Sequence, residues 1–168
     1  GKIQIKNILM AMLAAESNNL KFEKIVNKVS KIKPVNGRLE KIGKIKNNSM
    51  VILDYAHTPD ALNICLENLK DQFKDRKISI VFGCGGDRDK FKRPRMGKIA
   101  NYYCEKVYLT DDNPRTENPK KIRSEVKRKI IKSKILEIPQ RKKAIEQAIN
   151  NLNTGEILVV AGKGHENI

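Results

Sequence analysis

The sequence predicts an α/β fold built on a doubly wound, mostly parallel, Rossmann-like sheet, and three observations carry that expectation. Short apolar runs rich in β-branched residues recur at 50–53, 78–82, 107–109, 135–138 and 157–161. Between them lie four segments with apolar side chains at helical spacing. Most of the strand runs stop abruptly in polar turn-formers. Five strands alternating with four helices make a parallel sheet with right-handed crossovers, whose ligand-facing rim is the row of strand carboxyl ends.

The opening residues do not share that pattern. Residues 6–17 carry Ile8, Leu9, Ala11, Met12 and Ala15 at helical spacing, residues 21–30 carry Phe22, Ile25, Val26 and Val29, and Asn18-Asn19 divides the two. Neither helix has a sheet of its own to pack on, so residues 1–36 are expected to be the helical end of a preceding domain. Pro34 forbids helix continuation and Gly37 permits an unusual backbone angle beside Arg38, which puts a boundary near residue 36.

Residues 37–168 then form the α/β domain. A short hairpin around Asn47-Asn48 precedes the strand at 50–53, which ends in Asp54-Tyr55-Ala56-His57-Thr58-Pro59-Asp60. Pro59 suits the first turn of a helix running to about Phe73, with Leu62, Cys65, Leu66 and Leu69 as its inner face. The strand at 78–82 runs into Gly83-Cys84-Gly85-Gly86-Asp87-Arg88-Asp89-Lys90 and a helix over about 93–104. The strand at 107–109 runs into Thr110-Asp111-Asp112-Asn113-Pro114-Arg115 and a helix over about 119–131. After the strand at 135–138 comes a helix over about 141–152, and the strand at 157–161 delivers Gly162-Lys163-Gly164-His165-Glu166. Four strand ends thus gather Asp54, His57, Arg88, Asp111, Asn113, Arg115, Lys163, His165 and Glu166 on one edge. Arg115, set by a rigid Asn-Pro turn, is placed to meet an anionic group as a two-pronged fork.

Composition narrows the classes. With 168 residues and 39% hydrophobic side chains the chain is long enough for one good core. Thirty-five Lys and Arg against 19 Asp and Glu give a formal charge of +16, but the lysines are scattered through every segment with no arginine-rich stripe or basic arm, so no nucleic-acid partner is expected. Cys65, Cys84 and Cys104 are too few and too widely spaced for a disulfide framework or a zinc site. No apolar run approaches the roughly 20 residues of a membrane span and no signal peptide opens the chain, so a cytoplasmic protein without a membrane partner is expected. Gly83-x-Gly85-Gly86 has the look of a phosphate-cradling loop, yet it matches neither GxxxxGK[ST] nor GxGxxG.

The segments PVNGRLE at 34–40, DYAHTPD at 54–60, GCGGDRDKFKRP at 83–94, TDDNPR at 110–115 and AGKGHE at 161–166 occur in the order found in the Mur ligases of peptidoglycan synthesis. Over nearly its whole length the sequence most resembles the diaminopimelate-adding branch of that family. The resemblance implies the family's reaction. ATP phosphorylates the D-glutamyl γ-carboxylate of UDP-MurNAc-L-Ala-D-Glu, the amine of meso-diaminopimelate attacks the acyl phosphate, and the tetrahedral intermediate collapses to an amide with loss of phosphate. It implies that Arg88 and Arg115 fork the distal carboxylate of diaminopimelate, that Asn113 adds a neutral hydrogen bond, that Glu166 accepts the ammonium, and that Gly162 allows close approach. In the family DNPR accompanies diaminopimelate, and lysine-adding relatives lack this Arg.

The same resemblance sets Arg38, Asp54, Tyr55 and His57 around ATP, in a site whose closure keeps water from the acyl phosphate. The P-loop, the Mg²⁺-binding carboxylate and the modified lysine are expected before residue 1, and the family's last strand and helix after Ile168. No catalytic residue or metal ligand is therefore expected within 1–168, and a monomeric fragment of this extent is expected to be inactive alone. Phe91 departs from the small residue usual in the family and bears on the shape of the Arg88 loop. Two alternatives stay open: another ligase of the superfamily, of Mur or folylpolyglutamate type, the latter not expected to combine DNPR with GKGHE, and a basic nucleic-acid-binding module.

Overall fold

The computed structural model describes residues 2–33, 35–44 and 46–163, and the chain divides into two compact units, Gly1–Val35 and Asn36–Ile168. In the first, α1 (Lys2–Ser17) and α2 (Phe22–Val29) form a helical pair. Ile8, Met12, Ala15, Ile25 and Val29 line an apolar groove of ≈ 360 Å³. Among the described residues of this unit no side chain is fully buried, so the pair by itself builds no core.

The second unit runs β1 (Glu40–Lys44), β2 (Met50–Asp54), α3 (Pro59–Gln72), β3 (Ile78–Phe82), α4 (Lys92–Tyr103), β4 (Lys106–Leu109), α5 (Pro119–Lys127), β5 (Lys134–Glu137), α6 (Arg141–Asn150) and β6 (Ile157–Ala161). These strands make one six-stranded sheet in the order β1-β2-β6-β3-β4-β5. All neighbours are parallel except β1 and β2. The expected hairpin is present, with Asn47 and Asn48 in the left-handed region at φ 67° and 59°. Its first arm adds a sixth strand to the five apolar runs. Glu40-Lys41-Ile42-Gly43-Lys44 sits at the sheet edge, where charged residues are favoured and an apolar run is not needed.

Alternation along the strands builds two cores. Ile78, Ile80, Phe82, Ile157, Val159 and Ala161 pack with Leu62 and Leu66 of α3, Met96 and Ala100 of α4, and Ile122 and Val126 of α5. Val81, Tyr108, Leu158 and Val160 face the other way, against Ala144 and Ala148 of α6. Three helices thus cover one face and one covers the other. Thr58 caps α3 by accepting the Ala61 amide at 3.3 Å, and Asn118 caps α5 through the Lys120 amide at 2.9 Å, each ahead of a proline in the first turn. Helix α5 stops at Lys127, earlier than its apolar spacing predicts. Asn101 Oδ1 on α4 accepts the amides of Ile131, Lys132 and Ser133 at 2.8, 2.6 and 3.2 Å and draws them into the turn before β5.

At the amino-terminal edge of the strands Glu156 is buried. Desolvation alone would raise its pKa. The Ser79 hydroxyl, the Asn153 amide and the Lys106 ammonium, 3.0 Å away, outweigh that and hold the carboxyl below the usual range. Helices α4 and α5 approach through Gly97, where an added Cβ would lie 2.1 Å from the Val126 carbonyl oxygen. Gly97→Ala must push two backbones apart, and we expect it to destabilise the domain by about 1–3 kcal/mol in urea unfolding, with an unchanged m-value.

Candidate functional site

Because β2, β6, β3 and β4 are successive neighbours and parallel, the loops that follow them stand side by side along one rim. Hydrogen bonds stitch that rim together. The Gly162 amide donates to the Asp54 carbonyl at 3.0 Å, joining the ends of β6 and β2. Lys163 Nζ lies 3.7 Å from Asp112 and reaches from the β6 end to the β4 loop.

Arg38 enters this rim through the hairpin. Since Glu40 pairs with Leu53 in the antiparallel register, residues just before β1 fall beside the end of β2. There the Arg38 guanidinium lies over the Tyr55 ring, 4.4 Å from its centroid. The Tyr55 and His57 rings meet edge to face at 4.7 Å, His57 Nδ1 donates to the Tyr55 carbonyl at 3.0 Å, and Lys92 Nζ donates to the His57 carbonyl at 2.9 Å. Asp54 is only 7% exposed. Its two oxygens accept the Leu39 and Ala56 amides, each at 2.8 Å, so it holds Arg38 and Tyr55 beside each other. The left-handed Leu39, φ 47°, and Gly37, φ 69°, turn the chain into this position.

The β3 and β4 loops are laced together more tightly. A Cβ on Gly83 or Gly86 would lie 2.3 Å from the Thr110 carbonyl oxygen or 1.9 Å from that of Pro114. The glycines therefore admit a neighbouring backbone. The Gly86 amide donates to the Asn113 carbonyl at 2.8 Å, and Arg115, at φ 49°, returns one guanidinium nitrogen to the Gly86 carbonyl at 2.6 Å. Asp87 accepts the Thr116 amide and hydroxyl at 3.0 and 2.8 Å; these bonds hold its carboxyl below the usual range. Arg88 and Arg115 consequently flank a bonded pair, Asp87 with Thr116, and both are exposed. Asn113 is exposed on the same loop, and Phe91 stands 85% exposed at its start of α4. Glu166 and His165 lie outside the described residues.

Beneath the loops is a residue that the motifs did not single out. Arg93, 0% exposed, gives two parallel hydrogen bonds to Glu117 at 2.8 and 2.9 Å, one to Glu125 at 2.8 Å and one to the Gly85 carbonyl at 3.1 Å. Hydrogen bonding to Arg93 is the main reason the Glu117 carboxyl falls to about 2. A second such pair, Arg123 with Asp111 and Glu137, ties the start of the β4 loop to β5 and α5. In the Lys-Arg-Pro-Arg run Arg93 reads as one more surface cation. The available signal was spacing, since 93, 96, 97 and 100 share a helical face that carries Met96, Gly97 and Ala100 into the core.

Nucleophilic sulfur chemistry has no footing here. Cys65, Cys84 and Cys104 are free and buried, and burial pushes the Cys84 thiol up to about 12. Among the described residues no three His, Cys, Asp or Glu side chains gather to hold a metal ion.

The model of the family described as Mur ligase, glutamate ligase domain, matches residues 37–164. The chain belongs to the Mur ligase family. It is 48% identical over 99% of its length to the UDP-N-acetylmuramoyl-L-alanyl-D-glutamate–2,6-diaminopimelate ligase of Rickettsia typhi, covering 33% of that protein. The ligase of the same name from Buchnera aphidicola is 41% identical over 99% of the chain. A solved structure carrying that enzyme name superposes with a TM-score of 0.72 at 39% identity, over 99% of this chain and 34% of that one. The chain spans about a third of the length of the curated relatives it matches. A Mur ligase domain is thus present with its loop-bearing rim, and the six-stranded sheet described above is its fold.

The low folded pKa of Glu117 sets a pH dependence. Since its carboxyl titrates near 4.5 when unperturbed and near 2 in the folded domain, the pair with Arg93 contributes stability fully above the unfolded value, and this is lost as pH falls from there towards 2. We expect Glu117→Gln to lower the thermal midpoint at pH 7 and the gap from wild type to shrink by pH 3. A gap of constant size, measured by circular dichroism, would contradict this.

Proposed function

We propose that this chain is the amino-acid-binding part of an ATP-dependent ligase that joins meso-diaminopimelate to UDP-MurNAc-L-Ala-D-Glu in peptidoglycan precursor synthesis. The observation that carries the reading is the bonded Asp87–Thr116 pair with Arg88 on one side and Arg115 on the other. Two exposed arginines, each next in sequence to a member of one bonded pair, suit a carboxylate at the far end of an extended diamino acid. The names of the relatives and the DNPR and GKGHE segments support the same substrate. Arg115 uses one nitrogen on the Gly86 carbonyl, which steadies the rest of its fork for the ligand. Asn113 adds a neutral hydrogen bond, Gly162 leaves room for close approach, and Glu166 accepts the distal ammonium.

ATP is bound from the Arg38 side in this reading. Arg38 meets the phosphates or ribose, while Tyr55 and His57 offer ring surfaces to the ribose and base. Asp54 acts through the backbone, keeping Arg38 against Tyr55. Once the γ-carboxylate of the dipeptide is activated as an acyl phosphate, this rim orients the attacking amine and helps to exclude water that would hydrolyse the intermediate. Mg²⁺ ligands and the groups that transfer phosphate belong to the remaining two-thirds of the enzyme, and no step on this rim passes through the metal. Residues 1–36 are the helical end of that central ATPase domain, which accounts for a helix pair with an open apolar groove. The reaction is assigned to the cytoplasm, and no helix among the described residues is long and apolar enough to cross a membrane.

An amino-acid panel on the full-length enzyme tests the reading: phosphate release that depends on meso-diaminopimelate and is weak with L-lysine is expected, and the reverse preference refutes it. Arg115→Lys keeps the charge but loses the fork, and is expected to lower kcat/KM for meso-diaminopimelate on the order of 100-fold or more. Arg38→Ala is expected to raise KM for ATP about tenfold with little change in KM for the amino acid, as read from initial rates.

A further inference from the structure

We infer that Arg93, which lies outside the amino-acid clamp, is a positioning residue for it, its buried guanidinium fixing the gap between the 83–88 and 110–117 loops and hence between Arg88 and Arg115. The inference deepens the reading above and rests on it.

One planar group touches every part that must stay in register. Arg93 donates to Gly85 in the first loop, to both oxygens of Glu117 at the end of the second, and to Glu125 on the helix that follows. Glu117 also accepts the Asp87 amide at 2.7 Å, and Asp87 in turn holds Thr116. The chain of bonds Arg93–Glu117–Asp87–Thr116 therefore ends one residue from Arg88 and one residue from Arg115.

Nearer the solvent the loops are also joined by Gly86 to Asn113 and by Arg115 to the Gly86 carbonyl, beside the Asp87–Thr116 bond, where Asp87, Asn113, Arg115 and Thr116 are exposed. Arg93 joins the loops from beneath through a fully buried guanidinium, alongside the close backbone contacts at Gly83 and Gly86. Its two parallel bonds to Glu117 set orientation as well as charge, a constraint that the point charge of a lysine does not reproduce. Loosening this anchor should leave the sheet intact and blur the spacing of the two guanidinium groups above it. A clamp that recognises a distal carboxylate depends on that spacing more than the rest of the reaction does.

The test compares Arg93→Lys, Glu117→Gln and Glu125→Gln in the full-length enzyme. The readings are KM for meso-diaminopimelate, L-lysine and ATP, kcat, and the thermal midpoint. For Arg93→Lys and Glu117→Gln we expect KM for meso-diaminopimelate to rise by about tenfold or more, KM for ATP to stay within about threefold, and discrimination against L-lysine to fall about tenfold. Glu125→Gln alters the same guanidinium's anchorage on α5 but touches neither loop, so it should lower the midpoint and keep the discrimination. Should Arg93→Lys fail to fold, Glu117→Gln, which preserves side-chain volume and an acceptor, carries the comparison.

Equal losses for both amino acids and ATP in step with stability, unchanged discrimination in Glu117→Gln, or an equal loss of discrimination in Glu125→Gln would each overturn the inference. If wild-type enzyme does not use meso-diaminopimelate, the reading of the site falls and takes this inference with it. If wild type does use it and the variants behave in one of those three ways, the inference alone falls.

Discussion

A guanidinium with no exposure to water is the constraint on which the rim depends. Taking such a charge out of water costs several kcal/mol unless its geometry and partners are nearly complete. Arg93 meets that demand with two carboxylates and a carbonyl, although its Nε finds no acceptor among the described residues. The arrangement has a structural consequence: Glu117 and Gly85 must stay within hydrogen-bond reach of a single plane, so two loops far apart in sequence have one mutual position. Close backbone approach at Gly83 and Gly86 follows from the same juxtaposition.

Much of this was legible in the sequence because its signals are local. Apolar runs and helical spacing located the five strands after β1, and the prolines at 59 and 119 marked helix starts that the structure caps with Thr58 and Asn118. The polar loops fell at strand carboxyl ends, and parallel neighbours brought them to one rim. What was hidden depended on pairings between distant residues. The edge strand β1, paired on one side only, carries no apolar run. The early end of α5 comes from an Asn101 side chain on another helix.

Charge was the least legible property. A count of 35 basic residues treats Arg93 and Arg123 as surface cations, yet both are buried in ion pairs that organise the β4 loop from opposite ends. The excess positive charge thus combines a structural fraction inside the loops with a larger one spread over the exterior, and only the first has a defined geometry. In the same way Asp54, read from its motif as a neighbour of nucleotide, gives both oxygens to backbone amides, a use its motif does not reveal.

That use of Asp54 has a mechanical corollary. One carboxylate grips the chain ahead of β1 and the chain leaving β2, so Arg38 is carried by the α/β unit with its guanidinium over the Tyr55 ring. A group held by Arg38 would therefore be held in the frame of the sheet, through the bonds from Leu39 and Ala56 to Asp54.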